Sequence, residues 1–350
     1  MAAALNLRFS EFSVLSESEG LRSGSRAFYP ATWGAQHLPV TLMVSQDLSL
    51  NNSHNNKNSF GLTPIAQFVD EVPSYLLSPA GPPPAQQGNQ GKASYLSCVS
   101  SPNLPSAAVV WALCRSQVLQ FGAFARHLQQ RRKSLRVDEF EKELSFVLLQ
   151  LINGLKFLQA QGIEETVADL DSFLLARSDS DTNHRLIITE ECHSAGPARM
   201  SLCQCALAAM LQLFDIPDPV QTACQPQQKL ELPQILPSVS MFSTMAVILQ
   251  KDGGVSLGQV KSMLEYMLWG PSDIIFDLKL GREAESREEA LQRWLDLERA
   301  TVLNNLIRTQ GLWNIQLTVY EEYHLLFLVR TCAKMLREAS LLFESEVSRM

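Results

Sequence analysis

Apolar positions change their spacing along the chain, and the change divides it. Over the first 45 residues, short apolar or aromatic runs (9–15, 26–31 and 38–44) are separated by Ser, Glu, Gly and Gln. This pattern predicts a meander of antiparallel strands. Residues 51–59 are polar and Asn-rich, and predict a mobile loop. Ile65, Phe68, Val69 and Val72 have helical spacing, which predicts a helix over 63–77 broken by Pro73. Residues 78–92 (SPAGPPPAQQGNQGK) cannot build an apolar face and predict a disordered excursion. The run AAVVWAL at 107–113 then predicts a buried strand.

Beyond residue 116 the period becomes helical. Helices are expected over 117–132, 138–161, 202–214, 241–249 and 257–269. The clearest is the second, where Phe140, Leu144, Val147, Leu148, Leu151, Leu155 and Leu158 form one stripe at steps of three and four. The basic cluster Arg131, Arg132 and Lys133 reads as a solvated helix end. In the last 60 or so residues, Leu291, Trp294, Leu295, Val302, Leu303 and Leu306 make one face. Leu325, Leu328, Cys332, Met335, Ala339 and Leu342 make a short heptad-like seam. Such a seam either packs on the preceding domain or meets another chain.

Composition narrows the chemistry. The 350 residues carry 29 Lys and Arg against 36 Asp and Glu, a formal charge of −7, which does not advertise nucleic-acid binding. No apolar run is long enough to predict a membrane span. Early acidic residues argue against a signal or transit peptide. Seven cysteines lie at 98, 114, 192, 203, 205, 224 and 332 without a CxxC pair or a zinc-type cluster, so no metal is expected and the thiols read as reduced and cytoplasmic. Cys203 and Cys205 read as small core hydrophobes. The six histidines show no HxxxH or HExxH spacing, and no Ser/His/Asp arrangement is readable.

Several segments carry a family resemblance. FVLLQLINGLKFLQAQGI (146–163) resembles the helix that leads into a protein-kinase catalytic loop. DLDSFLLA (169–176) and RLIIT (185–189) resemble the strands next in order. VKSMLEYMLWGP (260–271) with LQRWLDLERA (291–300) is similar to the end of the PEAK/Pragmin family of pseudokinases, and FVDEVPSYLLS (68–78) to its first-lobe helix region. The resemblance implies an α+β, two-lobed protein-kinase-like fold. Its parts would be a small antiparallel β lobe (1–115, with the loop 78–92), a larger helical lobe (116–271) and a C-terminal helical extension of the dimerisation type (272–350).

Phosphoryl transfer requires a phosphate cradle, a strand lysine, a base and metal ligands. The turn expected over 16–24 (SESEGLRSG) lacks GxGxxG, and Glu17 and Glu19 would repel phosphate. VTLM (40–43) places Met43 at the lysine position, and Lys57 is a poor substitute. Aligned on QGI (161–163), Val167 replaces the base and Ser172 the metal-binding Asn. Glu190-Glu191-Cys192 replaces DFG, so Glu190 stands at the metal position. Little more than ten residues separate Glu191 from the next helix, too few for a normal activation segment. The partner arginine is replaced within DGGVSL (252–257). Loss of both ion-pair partners avoids a buried single charge costing about 3–5 kcal/mol.

The expected function is therefore a catalytically inactive scaffold or adaptor, with no catalytic residue and no cofactor. The resemblance implies protein partners in tyrosine-kinase signalling, cell shape and migration, homo- or hetero-association with related pseudokinases, recruitment of signalling adaptors, and a cytoplasmic location at the cytoskeleton or adhesions. Trp294, Leu295, Leu325, Leu328 and Met335 are the candidate interface. The family's preceding helix and docking tail are expected to be absent or vestigial, since the first strand lies so near residue 1. Tyr75 and Tyr95 flank the Pro-rich loop as phosphorylation opportunities. The alternative is an atypical ATP-binding kinase in which Glu190 or Asp169 works with a metal ion.

Overall fold

The computed structural model describes residues 7–15, 20–23, 26–46, 65–77, 106–114, 116–179, 181–188, 198–225, 232–234, 236–271, 287–313 and 317–347. They fall into two compact units. One comprises Met1–Leu119 with Ala176–Ser180, and the other Gln120–Leu175 with Asp181–Met350.

The first unit is a twisted antiparallel sheet. Strands β1 (Phe12–Val14), β2 (Leu21–Ser23), β3 (Arg26–Trp33), β4 (Leu38–Ser45), β5 (Ala66–Val72) and β6 (Ser106–Cys114) run in the order β1-β3-β4-β6-β5, with β2 also paired to β3. Period-two alternation makes the sheet two-sided. Ala27, Tyr29, Ala31, Val40, Leu42, Val44, Val110 and Ala112 form a core on one face, closed by Leu76 of the short helix α1 (Ser74–Leu77). β7 (Ser116–Gln120) ends this stretch.

Four local expectations do not hold. Residues 66–72 are a strand, not a helix. Ala66, Phe68 and Val72 share one strand face, Val69 is left on the exposed one, and continuous pairing with β6, from Ala66↔Ala112 to Val72↔Ser106, selects the extended form. Within 9–15, only Phe12–Val14 is strand, preceded by a 3₁₀ turn at Phe9–Glu11. The hairpin does not turn across 16–24. Leu21–Ser23 already pairs with Phe28–Arg26, and Ser23↔Arg26 closes it over two residues. The chain remains extended through Gln120 before helix α2 (Phe121–Arg131) starts. The loops expected at 51–59 and 78–92, with Lys57, Tyr95 and Cys98, lie outside the described residues.

The second unit is built on α3 (Val137–Ala160), whose expected stripe is buried throughout. Burial exceeds one stripe, because every residue from Leu144 to Ile152 is enclosed. Gly154 allows β10 (Arg185–Ile188) to approach, since a Cβ there would lie 2.0 Å from Ile188 Cδ1. After β8 (Glu165–Val167) and β9 (Phe173–Ser178), β11 (Arg199–Ser201) returns to pair with β8. Helix α4 (Leu202–Leu213) comes next, apolar on nearly all sides and correspondingly buried. Ser201 and Gln204 cap it reciprocally, at 2.9 and 3.1 Å. The remaining helices of the lobe are α5 (Pro219–Cys224), α6 (Val239–Gln250) and α7 (Ser256–Trp269).

The extension comprises α8 (Arg287–Trp313), α9 (Val319–Arg330) and α10 (Ala333–Val347). The expected seam from Leu325 to Leu342 is not one helix, because α9 ends at Arg330 and a new helix begins at Ala333. Arg299 of α8 stabilises this break by donating to the carbonyls of Leu328 and Thr331, each at 2.8 Å. The extension packs on its own lobe. Tyr320 and Tyr323 meet Phe146 edge-on, Trp269 stacks on His324, and Arg185 pairs with Glu322 at 2.6 Å.

Candidate functional site

Strand β4 decides what the first unit can hold. Its alternation sends Val40, Leu42 and Val44 into the core and Thr41, Met43 and Ser45 to the opposite face. The registers Phe28↔Met43 and Met43↔Trp111 place an aromatic residue on each side of Met43, with Leu21 beyond Phe28. Phe28 and Trp111 are buried. This row, Leu21-Phe28-Met43-Trp111, offers polarisable apolar surface and no cation for a phosphate. Thr41 of the same face is bound to the backbone of Ser116. Its Oγ1 donates to the Ser116 carbonyl at 3.1 Å and accepts that residue's N–H at 3.0 Å.

The hairpin carries two cations: Arg26 pairs in register with Ser45 at the end of the Met43 face, whereas the register partner of Arg22, Ala27, places Arg22 on the core face, away from Met43. Its guanidinium donates to the carbonyls of Leu76 and Leu77, at 2.9 and 3.1 Å, and to the Tyr29 hydroxyl at 3.0 Å. Tyr29 in turn donates to the Leu76 carbonyl at 2.9 Å. Burial raises the Tyr29 pKa and Arg22 opposes the shift, so the phenol stays a neutral structural donor. Sequence reasoning missed this lock. An Arg alternating with core residues in a short strand was the available signal.

In the second unit the residues expected at the catalytic loop make structural bonds. Val167 pairs with Arg199 in the β8–β11 ladder, and its aliphatic side chain cannot accept a proton. Ser172 Oγ donates to the Asp169 carbonyl at 2.7 Å. The Asp169 carboxylate accepts the Asp171 N–H at 3.0 Å, capping the 3₁₀ turn Leu170–Ser172. Asp171 Oδ1 accepts the Gly122 N–H at 2.9 Å, and the approach is so close that a Cβ on Gly122 would lie 2.8 Å from that oxygen. Buried Gln150 donates to the His184 carbonyl at 2.8 Å and accepts the Leu186 N–H at 2.9 Å, fastening β10 to α3. In the segment 252–257, where the resemblance implies a lost arginine, Asp252 accepts from Ser201 Oγ at 2.9 Å. Burial, reinforced by Asp252, pushes the Cys203 thiol up to about 12, which makes it inert. Glu190, Glu191 and Cys192 lie outside the described residues. Among the described residues, no three His, Cys, Asp or Glu side chains group to hold a metal ion.

The interface candidates separate by burial. Leu295 and Leu328 are buried inside the chain, whereas Trp294, Leu325 and Met335 are half-buried. Other apolar side chains of the extension are more exposed: Leu297 (62%), Leu303 (54%) and Ile307 (73%) on α8, and Val329 (78%) on α9.

No protein-family model and no curated protein matches the chain. A solved structure does: the crystal structure of the pseudokinase PEAK1 (Sugen Kinase 269) superposes with a TM-score of 0.60 at 18% identity, over 95% of this chain and 89% of that one. The chain has the fold of PEAK1. It is thereby a two-lobed kinase-like architecture, with a strand-rich and a helical lobe. Among the described residues no helix is long and apolar enough to cross a membrane.

Proposed function

We propose that the protein is a catalytically inactive kinase-like scaffold whose output is protein–protein association. Its setting is tyrosine-kinase signalling in the cytoplasm, controlling cell shape and migration. The observation that carries this reading is the row Phe28-Met43-Trp111 where a phosphate-binding lysine would stand. The structural engagement of Val167 and Ser172 supports it, as does the fold shared with a pseudokinase. An anion placed against the row itself would lose its hydration to side chains that carry no charge.

For association we assign the exposed face of the extension, formed by Leu297, Leu303 and Ile307 of α8 and Val329 of α9, to a second copy or a related pseudokinase. Apolar exposure concentrated on one module of an acidic chain is typical of contact surfaces. Trp294, Leu325 and Met335, being half-buried, remain available to it, whereas Leu295 and Leu328 are buried within the chain.

Solution mass by light scattering tests the association. A dimer, reduced to a monomer by Leu303→Asp with Ile307→Asp, is expected, and a wild-type monomer at every concentration reached would overturn it. Thermal melting with ATP and Mg²⁺ tests the inactive site. No shift is expected, and a saturable rise would overturn it.

A further inference from the structure

The first turns of α3 border a cavity that neither the kinase-like positions nor the extension's exposed face uses. Val137, Asp138, Glu141, Lys142 and Ser145 form one wall, on one face of the helix. Pro237, ahead of α6, and Met267 and Leu268, in the last turn of α7, form the rest. The volume is about 460 Å³, within the range of functional ligand pockets. This space holds more than one side chain and much less than a folded partner.

Its polar groups are unevenly satisfied. Asp138 lies 3.6 Å from Arg136, but Glu141 has no ion pair among the described residues. The cation on this face, Lys142, is drawn away, with its ammonium 3.9 Å from the centroid of the Tyr320 ring on α9. Ser145 is 1% exposed, lines the cavity, and has a hydroxyl without a hydrogen-bond partner. A serine within a helix ordinarily returns its hydroxyl to the preceding turn. Here that bond is unmade, an unsatisfied buried hydroxyl at the cavity wall.

We propose that this cavity docks an extended segment of a partner polypeptide. An apolar side chain of the segment would lie between Val137, Met267 and Leu268, and an adjacent Lys or Arg would pair with Glu141 and Asp138. Charge complementarity selects this occupant. Lys142 also lines the cavity but its ammonium lies over Tyr320, and Asp138 is shared with Arg136, so Glu141, unpaired among the described residues, is the carboxylate left to favour a cation over a phosphate; the described residues supply no cluster for a metal ion. The pocket shares no residue with the exposed face of α8 and α9, so the proposal stands or falls independently of self-association.

The test is selection of random peptides displayed on phage against the full-length chain, with counter-selection on Met267→Glu. The expected peptides carry an apolar residue beside Lys or Arg. Glu141→Lys weakens them by at least about tenfold, and added salt weakens them further. Ser145→Ala lowers their affinity while leaving the melting temperature unchanged or higher, since no bond within the protein is lost. Leu303→Asp with Ile307→Asp leaves peptide affinity intact, which separates this site from the association surface. Circular dichroism melts confirm that each variant is folded. An empty selection, peptides without a cation, or equal binding to Glu141→Lys each overturns the proposal. So does a concentration-dependent rise in mass that Glu141→Lys abolishes, because the occupant would then be a second copy.

Discussion

Helices α3 and α8 are the two longest among the described residues, and both carry regularly spaced large apolar side chains. In α3 the whole stripe is enclosed. In α8 Leu291 and Leu295 are enclosed, but Leu297, Leu303 and Ile307 face solvent. The same sequence signal therefore has two physical outcomes. α3 is surrounded by α4, α7 and β10, so its leucines contribute stability to the fold. The later part of α8 leaves large apolar side chains exposed on the chain itself. Periodicity reports that a face seeks cover, and does not say whether that cover lies in the same chain.

The largest effect expected from this contrast is in α3. Leu151→Ala removes a fully buried side chain and should cost about 2–5 kcal/mol in urea unfolding. A cost below about 1 kcal/mol, roughly that of a surface change, would mean that α3 is not the centre of the lobe. Next is the link between α8 and the break after α9. Arg299→Ala leaves the carbonyls of Leu328 and Thr331 without their donor and should cost about 1–3 kcal/mol. Arg299→Lys should recover only part of this, because an ammonium lacks the planar fork.

Leu303→Ser combined with Ile307→Ser should change monomer stability by no more than about 0.5 kcal/mol, since little buried area is lost. A loss of several kcal/mol, comparable to Leu151→Ala, would erase the distinction between the two helices. The smallest effect concerns His324, which is stacked on Trp269. Burial, aided by nearby Lys142, lowers its pKa, and Glu298 faces it from α8 at 4.0 Å. The unfolded chain then binds the proton more tightly than the folded one. The stability this contributes is complete above the unfolded pKa near 6.5 and is lost as pH falls through the folded value. Unfolding compared at neutral and mildly acidic pH should show this slope, and His324→Asn should flatten it. An unchanged slope in the variant would assign it to other groups.

The elements that carry the candidate residues were readable in advance. The strand around Met43 was legible because its apolar run is short and extended, and the helix ahead of Val167 and Ser172 because its stripe is long and unambiguous. The flanking of Met43 by Phe28 and Trp111 was not readable, since cross-strand neighbours are far apart in the chain. The same limit hid Arg22 beneath α1 and Asp171 against Gly122. In each, a polar side chain finds a backbone group 49 or more residues away. Residues 66–72 show the limit for local structure. Ile65, Phe68, Val69 and Val72 have helix spacing, whereas only Ala66, Phe68 and Val72 share a strand face, and the neighbouring β6 selects the strand, leaving Ile65 and Val69 exposed.

The order of residues by itself determined the element types wherever one period dominated, and it determined which charges a phosphate site would lack. Both are properties of local spacing and side-chain chemistry. Tertiary structure alone decided which apolar faces are enclosed, where the heptad-like seam breaks, and which polar side chains are engaged by distant backbone. Those outcomes depend on what lies opposite each residue in space, and folding sets that arrangement through contacts between segments remote in sequence.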